Sequence, residues 1–438
     1  MKRTMRERLA VGRLGSCATL LALVAACVPA QAPERRALVI GLDGATLAVT
    51  RPLIAAGRLP HLARLAEAGV HGPLVSSLPI QSPRIWNTIA TGKTPRRHGI
   101  LSFTFDAANG ERRLYLSRHR KVPAVWNILS QHGVKVSAVN WWNTWPPERI
   151  NGVMVSDHFF PGQLSGREDL FKAGGGEGGP SVSPIDWEAR ATQVAERDTN
   201  PTAFENPFLE RGNLPRWTHL GSLADVFDTD RRVAQVALEI AEAESPQVLM
   251  VYFPGIDRVS HSLWIGVDAT HNFPPEFRLT DAERTAARNA LENYYAYTDA
   301  LVGHLLAGYQ TDDLVIVLSD HGFEAHPFGD PVDGQLVLTG GHESPAARDG
   351  LLIARGRGIP PGGGLEGMSI RDVTPTLLAW LGLPIGADMD GSPAHFVGTA
   401  PFAEVASYDD LAIERESAEA SAVEGEIVEQ LRGLGYLE

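Results

Sequence analysis

Beyond Cys27 the sequence has no cysteine; the 438-residue chain holds only two, Cys17 and Cys27. Disulfide scaffolding and thiolate metal sites are therefore excluded from everything after residue 27. No apolar run reaches the roughly 18 residues that a membrane-spanning helix needs. A long basic stretch is missing too, and the formal net charge is -13. No nucleic-acid partner is expected, because a phosphate backbone calls for clustered Lys and Arg. Anionic substrates stay compatible with this charge if metal ions supply the positive charge locally. There is no internal repeat of solenoid period.

What is present is an ordinary globular composition, 44% hydrophobic and 21% charged, in a chain long enough to bury a large core. Lys2, Arg3, Arg6, Arg8 and Arg13 precede the apolar "CATLLALVAAC", which reads as an export signal. "LVAAC" resembles a bacterial lipoprotein box. The expectation is a signal peptide over 1–26, a lipid anchor on Cys27, a linker over 27–36, and a protein held at a membrane of the cell envelope, periplasmic or at the surface. An ordinary signal cleaved near Ala30 or Ala32 is the alternative.

Further along, "ALVIGLDGA", "VKVSAVNWW", "VMVSD", "PQVLMVYFPGID", "DLVIVLSD" and "DGLLIARG" read as strands. "LPHLARLAEAG", "WNILSQHG" and Asp281 to Ala307 carry helical spacing. Strands alternating with helices predict an α/β fold: a mostly parallel central sheet with helices on both faces. Periodicity dissolves between Pro161 and Trp217, which suggests an irregular inserted cap on a domain running from 37 to 400. A tail over 401–438 is expected to end in a helix.

The polar residues fall at apparent strand exits. Asp43 follows "LVIGL"; Asp257 and His261 follow "VLMVYFPGI" four residues apart; Asp320 and His321 follow "VIVLS"; His342 precedes "GLLIA". An open parallel sheet gathers its ligands at the carboxyl ends of its strands. Carboxylates with imidazoles make a donor set that zinc accepts where cysteine is absent. Ser82 precedes an amphipathic stretch and is placed to cap a helix, where the dipole favours an anion. Each residue alone has a plain structural reading: a turn Asp, a satisfied core His, a capping Ser.

In this order the motifs "LVIGLDGA", "SPRIWNTIATG", "RHGI", "YFPGIDRVSH", "LSDHGF" and "GGHESPAARDGLLIARG" resemble the alkaline phosphatase superfamily, in its type I phosphodiesterase/nucleotide pyrophosphatase branch. "DVTPTLLAWLGLPIGADMDG" is similar to that family's C-terminal helix and loop. The resemblance implies two divalent ions, usually zinc, with Asp43, Asp320 and His321 holding the ion that also meets Ser82. Asp257, His261 and His342 would hold the second. It further implies a Ser82 nucleophile, a phosphoseryl intermediate and a small-molecule, lipid or glycan phosphate ester as substrate. Phosphomonoesterase, sulfatase and non-catalytic metal-binding readings stand as alternatives.

The chain departs from the branch in two respects, one being Ser82 where many diesterases have Thr. "HGILSFTFD" puts Ser102, Phe103 and Thr104 where an Asn is usual, which leaves Lys93, Arg84, Asn87 or a residue of "NWWNTW" as candidate phosphate-orienting donors. His98 reads as structural. A sulfatase modification motif fails on spacing, since Pro83 follows Ser82 directly and Arg84 comes next.

Overall fold

The computed structural model describes residues 35–417 except 111, 161–178, 269–277, 327–338 and 400. The segments expected to be the export signal and the terminal helix of the tail lie outside the described residues.

Nine strands form the central sheet: β1 Ala37–Leu42, β2 Val70–Leu74, β3 Val136–Val139, β4 Met154–Val155, β5 Val182–Ser183, β6 Val248–Phe253, β7 Leu314–Leu318, β8 Gly350–Arg355 and β9 Gly363–Gly364. Their spatial order is β9-β2-β8-β7-β1-β6-β3-β4-β5. β7, β1, β6, β3 and β4 run parallel to one another, and β9 runs parallel to β2. Only β8 and the edge strand β5 run against their neighbours. This is the expected mostly parallel α/β sheet.

Its inner strands are unbroken apolar runs because both faces are covered. β1 divides its side chains between two cores: Leu38, Ile40 and Leu42 enter one, Ala37 and Val39 the other. Helices Pro60–Ala68, Leu220–Glu244, Gly255–Leu263 and Asp281–Leu306 supply the first core. Ser82–Thr91, Val125–Gln131 and Val373–Leu381 supply the second. Each buried Leu, Ile or Val contributes ~1.5–3 kcal/mol against entropy losses of similar total size.

The stretch expected as an irregular cap is in part structured. Val182–Ser183 becomes β5, and helix Glu188–Ala195 sinks Ala191, Val194 and Ala195 into the core beneath Leu220–Glu244. A two-residue strand and three small apolar side chains leave too weak a period to read. The stretch from 161 to 178 lies outside the described residues.

Candidate metal centre

The three central strands end level with one another. Gly41 of β1 pairs with both Tyr252 and Leu318, and the Asp43 amide donates to the Phe253 carbonyl at 3.0 Å. Asp43 therefore leaves the sheet beside the start of helix Gly255–Leu263, and Asp320 and His321 leave it on the other side. The helix carries Asp257 in its first turn and His261 four residues on. Gly44 sits at φ +67, where a Cβ would lie 2.9 Å from the Asp257 Cα. Only glycine supplies both that backbone and that room. Gly340–Gly341 pairs with Glu324–Ala325 and delivers His342.

Four of the donor residues, Asp43, Asp320, His321 and His261, are divided between a holding atom and a presented atom. Asp43 Oδ2 accepts from Trp86 Nε1–H at 3.2 Å and from the Tyr252 hydroxyl, while Oδ1 has no hydrogen-bond partner among the described residues. Asp320 Oδ1 accepts from the Gly44 amide at 3.3 Å, and its Oδ2 is likewise unpartnered. His321 Nδ1–H donates to the Gly322 carbonyl at 2.8 Å, leaving Nε2 to face Asp43 Oδ1 at 3.2 Å and Asp320 Oδ2 at 3.5 Å. His261 Nδ1–H donates to the Gly340 carbonyl at 2.8 Å, with Nε2 3.5 Å from Asp257 Oδ1. Among the described residues both ring nitrogens of His342 lack partners, and Nε2 lies 3.8 Å from Asp257 Oδ1. Such outer contacts fix the tautomer and orientation of metal-binding imidazoles and carboxylates.

Two sets of presented atoms converge to within 4.8 Å: Asp43, Asp320 and His321, and Asp257, His321 and His342. All of these residues are buried. The two sets thus hold five of the sequence-derived candidates, since His321 belongs to both. His261 stands just outside the second set, beside Asp257, and His321 lies between the two groups.

The electrostatics follow from crowding acids without lysine or arginine: among the described residues the ion pairs of Asp43 and Asp320 run to His321 alone. Burial, then the charge of Asp43, pushes Asp320 well above the usual carboxylate range. Burial acts the same way on Asp43, but the neighbouring His321 ring outweighs it and holds Asp43 low. Burial also opposes charge on His321, yet Asp320 and Asp43 raise it to about 10. Burial, with His321 and His261 nearby, holds His342 well below its ordinary value. Two acids held together thus draw a proton onto the ring between them, the position in which a divalent cation would serve the same purpose. Carboxylate oxygens and imidazole nitrogens suit zinc.

Ser82 is buried and is the first residue of helix Ser82–Thr91; Gln81, not Ser82, takes the cap position, and no side chain caps the helix. The expectation of a capping serine is corrected: Pro83 follows at once, and its ring suits the first turn of a helix. Trp86 lies one turn beyond Ser82 on the same face and reaches Asp43, so that face is turned to the strand exits. The Trp86 ring lies against Gly41, where a Cβ would sit 2.5 Å away. Asn87 Nδ2–H donates to Asn143 Oδ1 at 2.6 Å and Trp141 Nε1–H to the Trp86 carbonyl at 3.2 Å, so the "NWWNTW" loop braces this helix. Sequence reasoning missed Trp86, Tyr252 and Gly44 in this role; Trp86, four residues past the serine, was the available signal.

Most of the candidate phosphate-orienting donors have structural partners. The Lys93 ammonium binds Asp388 at 2.6 Å and also Asp409, and Asn87 is committed to Asn143 and the Pro83 carbonyl. Arg84 donates to the Leu78 carbonyl at 3.2 Å. His98 is buried, accepts from the Ile100 amide through Nδ1 at 3.2 Å and meets Thr88 Oγ1 through Nε2 at 3.0 Å, the pattern of a satisfied structural histidine.

A mostly parallel sheet with oxygen and imidazole donors gathered where its central strands end defines an α/β enzyme of the alkaline phosphatase superfamily. The model of the type I phosphodiesterase / nucleotide pyrophosphatase family matches residues 37–343, well over half of the chain, and the chain belongs to that family. It is a hydrolase of phosphate esters. No curated protein matches the sequence. Among solved structures it is similar to human ectonucleotide pyrophosphatase / phosphodiesterase 5, with 14% identity, 83% of this chain and 98% of that one covered, and a TM-score of 0.48. It is also similar to phosphonoacetate hydrolase from Sinorhizobium meliloti 1021 in complex with phosphonoformate, with 17% identity, 67% and 57% covered, and a TM-score of 0.43. A 2-O GAG sulfatase gives 13% identity, 82% and 73% covered, and a TM-score of 0.48. At such identities and scores none of the three bears on the chemistry.

Proposed function

We propose that the protein cleaves phosphodiesters or nucleotide pyrophosphates with Ser82 as nucleophile. Asp43, Asp320 and His321 would hold one zinc ion, next to Ser82, and Asp257, His261 and His342 a second. Bound there, zinc would offset the substrate's negative charge and acidify both the serine hydroxyl and the water that follows it. Ser82 Oγ gives up its proton and attacks phosphorus as the bond to the departing alcohol or nucleotide oxygen breaks. That oxygen takes a proton and leaves. Water then attacks the phosphoseryl phosphorus, the Oγ–P bond breaks, and Ser82 recovers its proton. The start of helix Ser82–Thr91 adds positive potential where Oγ turns anionic.

One observation carries the reading: Asp43, Asp320 and His321 each bind the protein through one atom and present the other, unpartnered, to a common point. Orphaned buried polar atoms cost ~1–3 kcal/mol apiece, so a cluster of them calls for a ligand. The N-terminal sequence supports an exported protein anchored through lipid on Cys27, so a lipid or glycan phosphate ester belongs among the substrates to try.

The test uses bis-p-nitrophenyl phosphate and p-nitrophenyl phosphate. Turnover, greater on the diester, is lost with chelator and returns with zinc; Ser82→Ala lowers it by roughly 10³-fold or more while zinc uptake persists. A fully chelated protein with undiminished turnover would refute the metal chemistry, and an undiminished Ser82→Ala variant the nucleophile.

A further inference from the structure

Helix Gly255–Leu263, which carries Asp257 and His261, begins without a cap of its own. Its N-cap residue is Pro254, which offers no side-chain acceptor. An acceptor from another element stands beside it: Asp230, fully buried in helix Leu220–Glu244, has Oδ2 2.3 Å from where a Cβ on Gly255 would lie. The Tyr294 hydroxyl, on helix Asp281–Leu306, donates to Asp230 Oδ2 at 2.9 Å. The other oxygen, Oδ1, has no hydrogen-bond partner among the described residues. A carboxylate kept fully buried with one oxygen unmatched is a costly group to set beside the start of a short helix.

The packing shows what this carboxylate holds in place. A Cβ on Gly255 would lie 1.9 Å from the Tyr294 hydroxyl oxygen and 2.3 Å from Asp230 Oδ2, so the back of the helix start is tight against that pair. On the opposite side a Cβ on Gly44 would lie 2.9 Å from the Asp257 Cα. The first turn is therefore gripped from behind by Asp230 and Tyr294 and from in front by the exit of β1. Asp257 lies two residues past Gly255, and His261 one turn further on the same face. A carboxylate at this end also suits the helix dipole.

We propose that Asp230 is a positioning residue: by capping Gly255, with Tyr294 steering its carboxylate, it sets the height and rotation of the helix that presents Asp257 and His261. This rests on the metal reading of those two residues. A cap that merely stabilised the fold would leave ion binding unchanged, and the two roles separate in a zinc titration.

The experiment titrates the metal-free full-length protein with zinc in competition with a chromophoric chelator, alongside its metal-free unfolding midpoint. Wild type takes up two ions. Asp230→Ala weakens one of the two by about 10-fold, the low end of what losing a direct outer contact of a metal ligand does, because Asp230 acts through the helix start, and leaves the other in place. Asp230→Asn, which keeps the shape and an acceptor for Gly255, restores most of the affinity. Tyr294→Phe gives a smaller weakening in the same ion and serves if Asp230→Ala does not fold. If Asp230→Ala or Tyr294→Phe unfolds earlier yet binds both ions with wild-type affinity, the positioning role is overturned and the metal reading stands. A wild-type protein that takes up no zinc overturns the metal reading and this role with it.

Discussion

Gly44→Ala separates what the backbone of the site needs from what its packing needs. Alanine at φ +67 pays the left-handed penalty of ~1–2 kcal/mol. Its methyl would also lie 2.9 Å from the Asp257 Cα and 3.0 Å from its Cβ, closer than real carbon contacts allow. That obstacle is the backbone of a packed helix, so relief requires the helix to move by several tenths of an ångström, an overpacking cost of ~1–3 kcal/mol. Gly57→Ala is the matched control: φ is +73 and nothing lies within 4 Å of the new methyl, so only the backbone penalty applies. In urea, Gly57→Ala should lose ~1–2 kcal/mol and Gly44→Ala ~2–5 kcal/mol, compared at equal m. The difference should appear in function too, because the displaced residue is Asp257: zinc affinity should drop in Gly44→Ala and hold in Gly57→Ala. Equal unfolding midpoints and equal zinc affinity in the two variants would refute the close packing of β1's exit against the Asp257 helix.

Two further outcomes are expected. Lys93→Met removes the cation from Asp409 and leaves Asp388 with Arg97 and Ser407 alone, and should lower stability by about 1–3 kcal/mol, less than for a fully buried pair because both acids are partly exposed; kcat/KM of the folded protein should hold, and a fall of tenfold or more would return Lys93 to the substrate. Burial, then the charges of Arg120 and Arg84, lowers His98 from 6.5 to about 3. The unfolded chain takes up that proton below 6.5 and the folded chain does not, so stability falls as pH drops from 6.5 toward 3, by up to ~1.4 kcal/mol per pH unit. His98→Gln should flatten that limb of an unfolding-versus-pH curve, and an unchanged slope would refute a buried neutral His98.

The amino-acid sequence alone determined where the chemistry sits along the chain. Apolar runs such as "LVIGL" and "VIVLS" are legible because both faces of a parallel sheet are buried, and the first polar residues after them, Asp43, Asp320 and His321, mark the exits. The α/β class and the helices around Leu62 and Leu291 follow from the same periodicity. β2, "VHGPL", was not legible, because Gly72 and Pro73 look like loop residues until Leu74 and Val70 are seen pairing with β8. Tertiary structure decided what no local pattern encodes. It set the level register of β7, β1 and β6 and the halving of Asp43, Asp320, His321 and His261 between a holding partner and the centre. It also put His321 between two donor groups and a buried Asp230 from a distant helix beneath Asp257's turn. Local periodicity reports which face of an element is buried; which atom meets which is fixed only when distant elements pack.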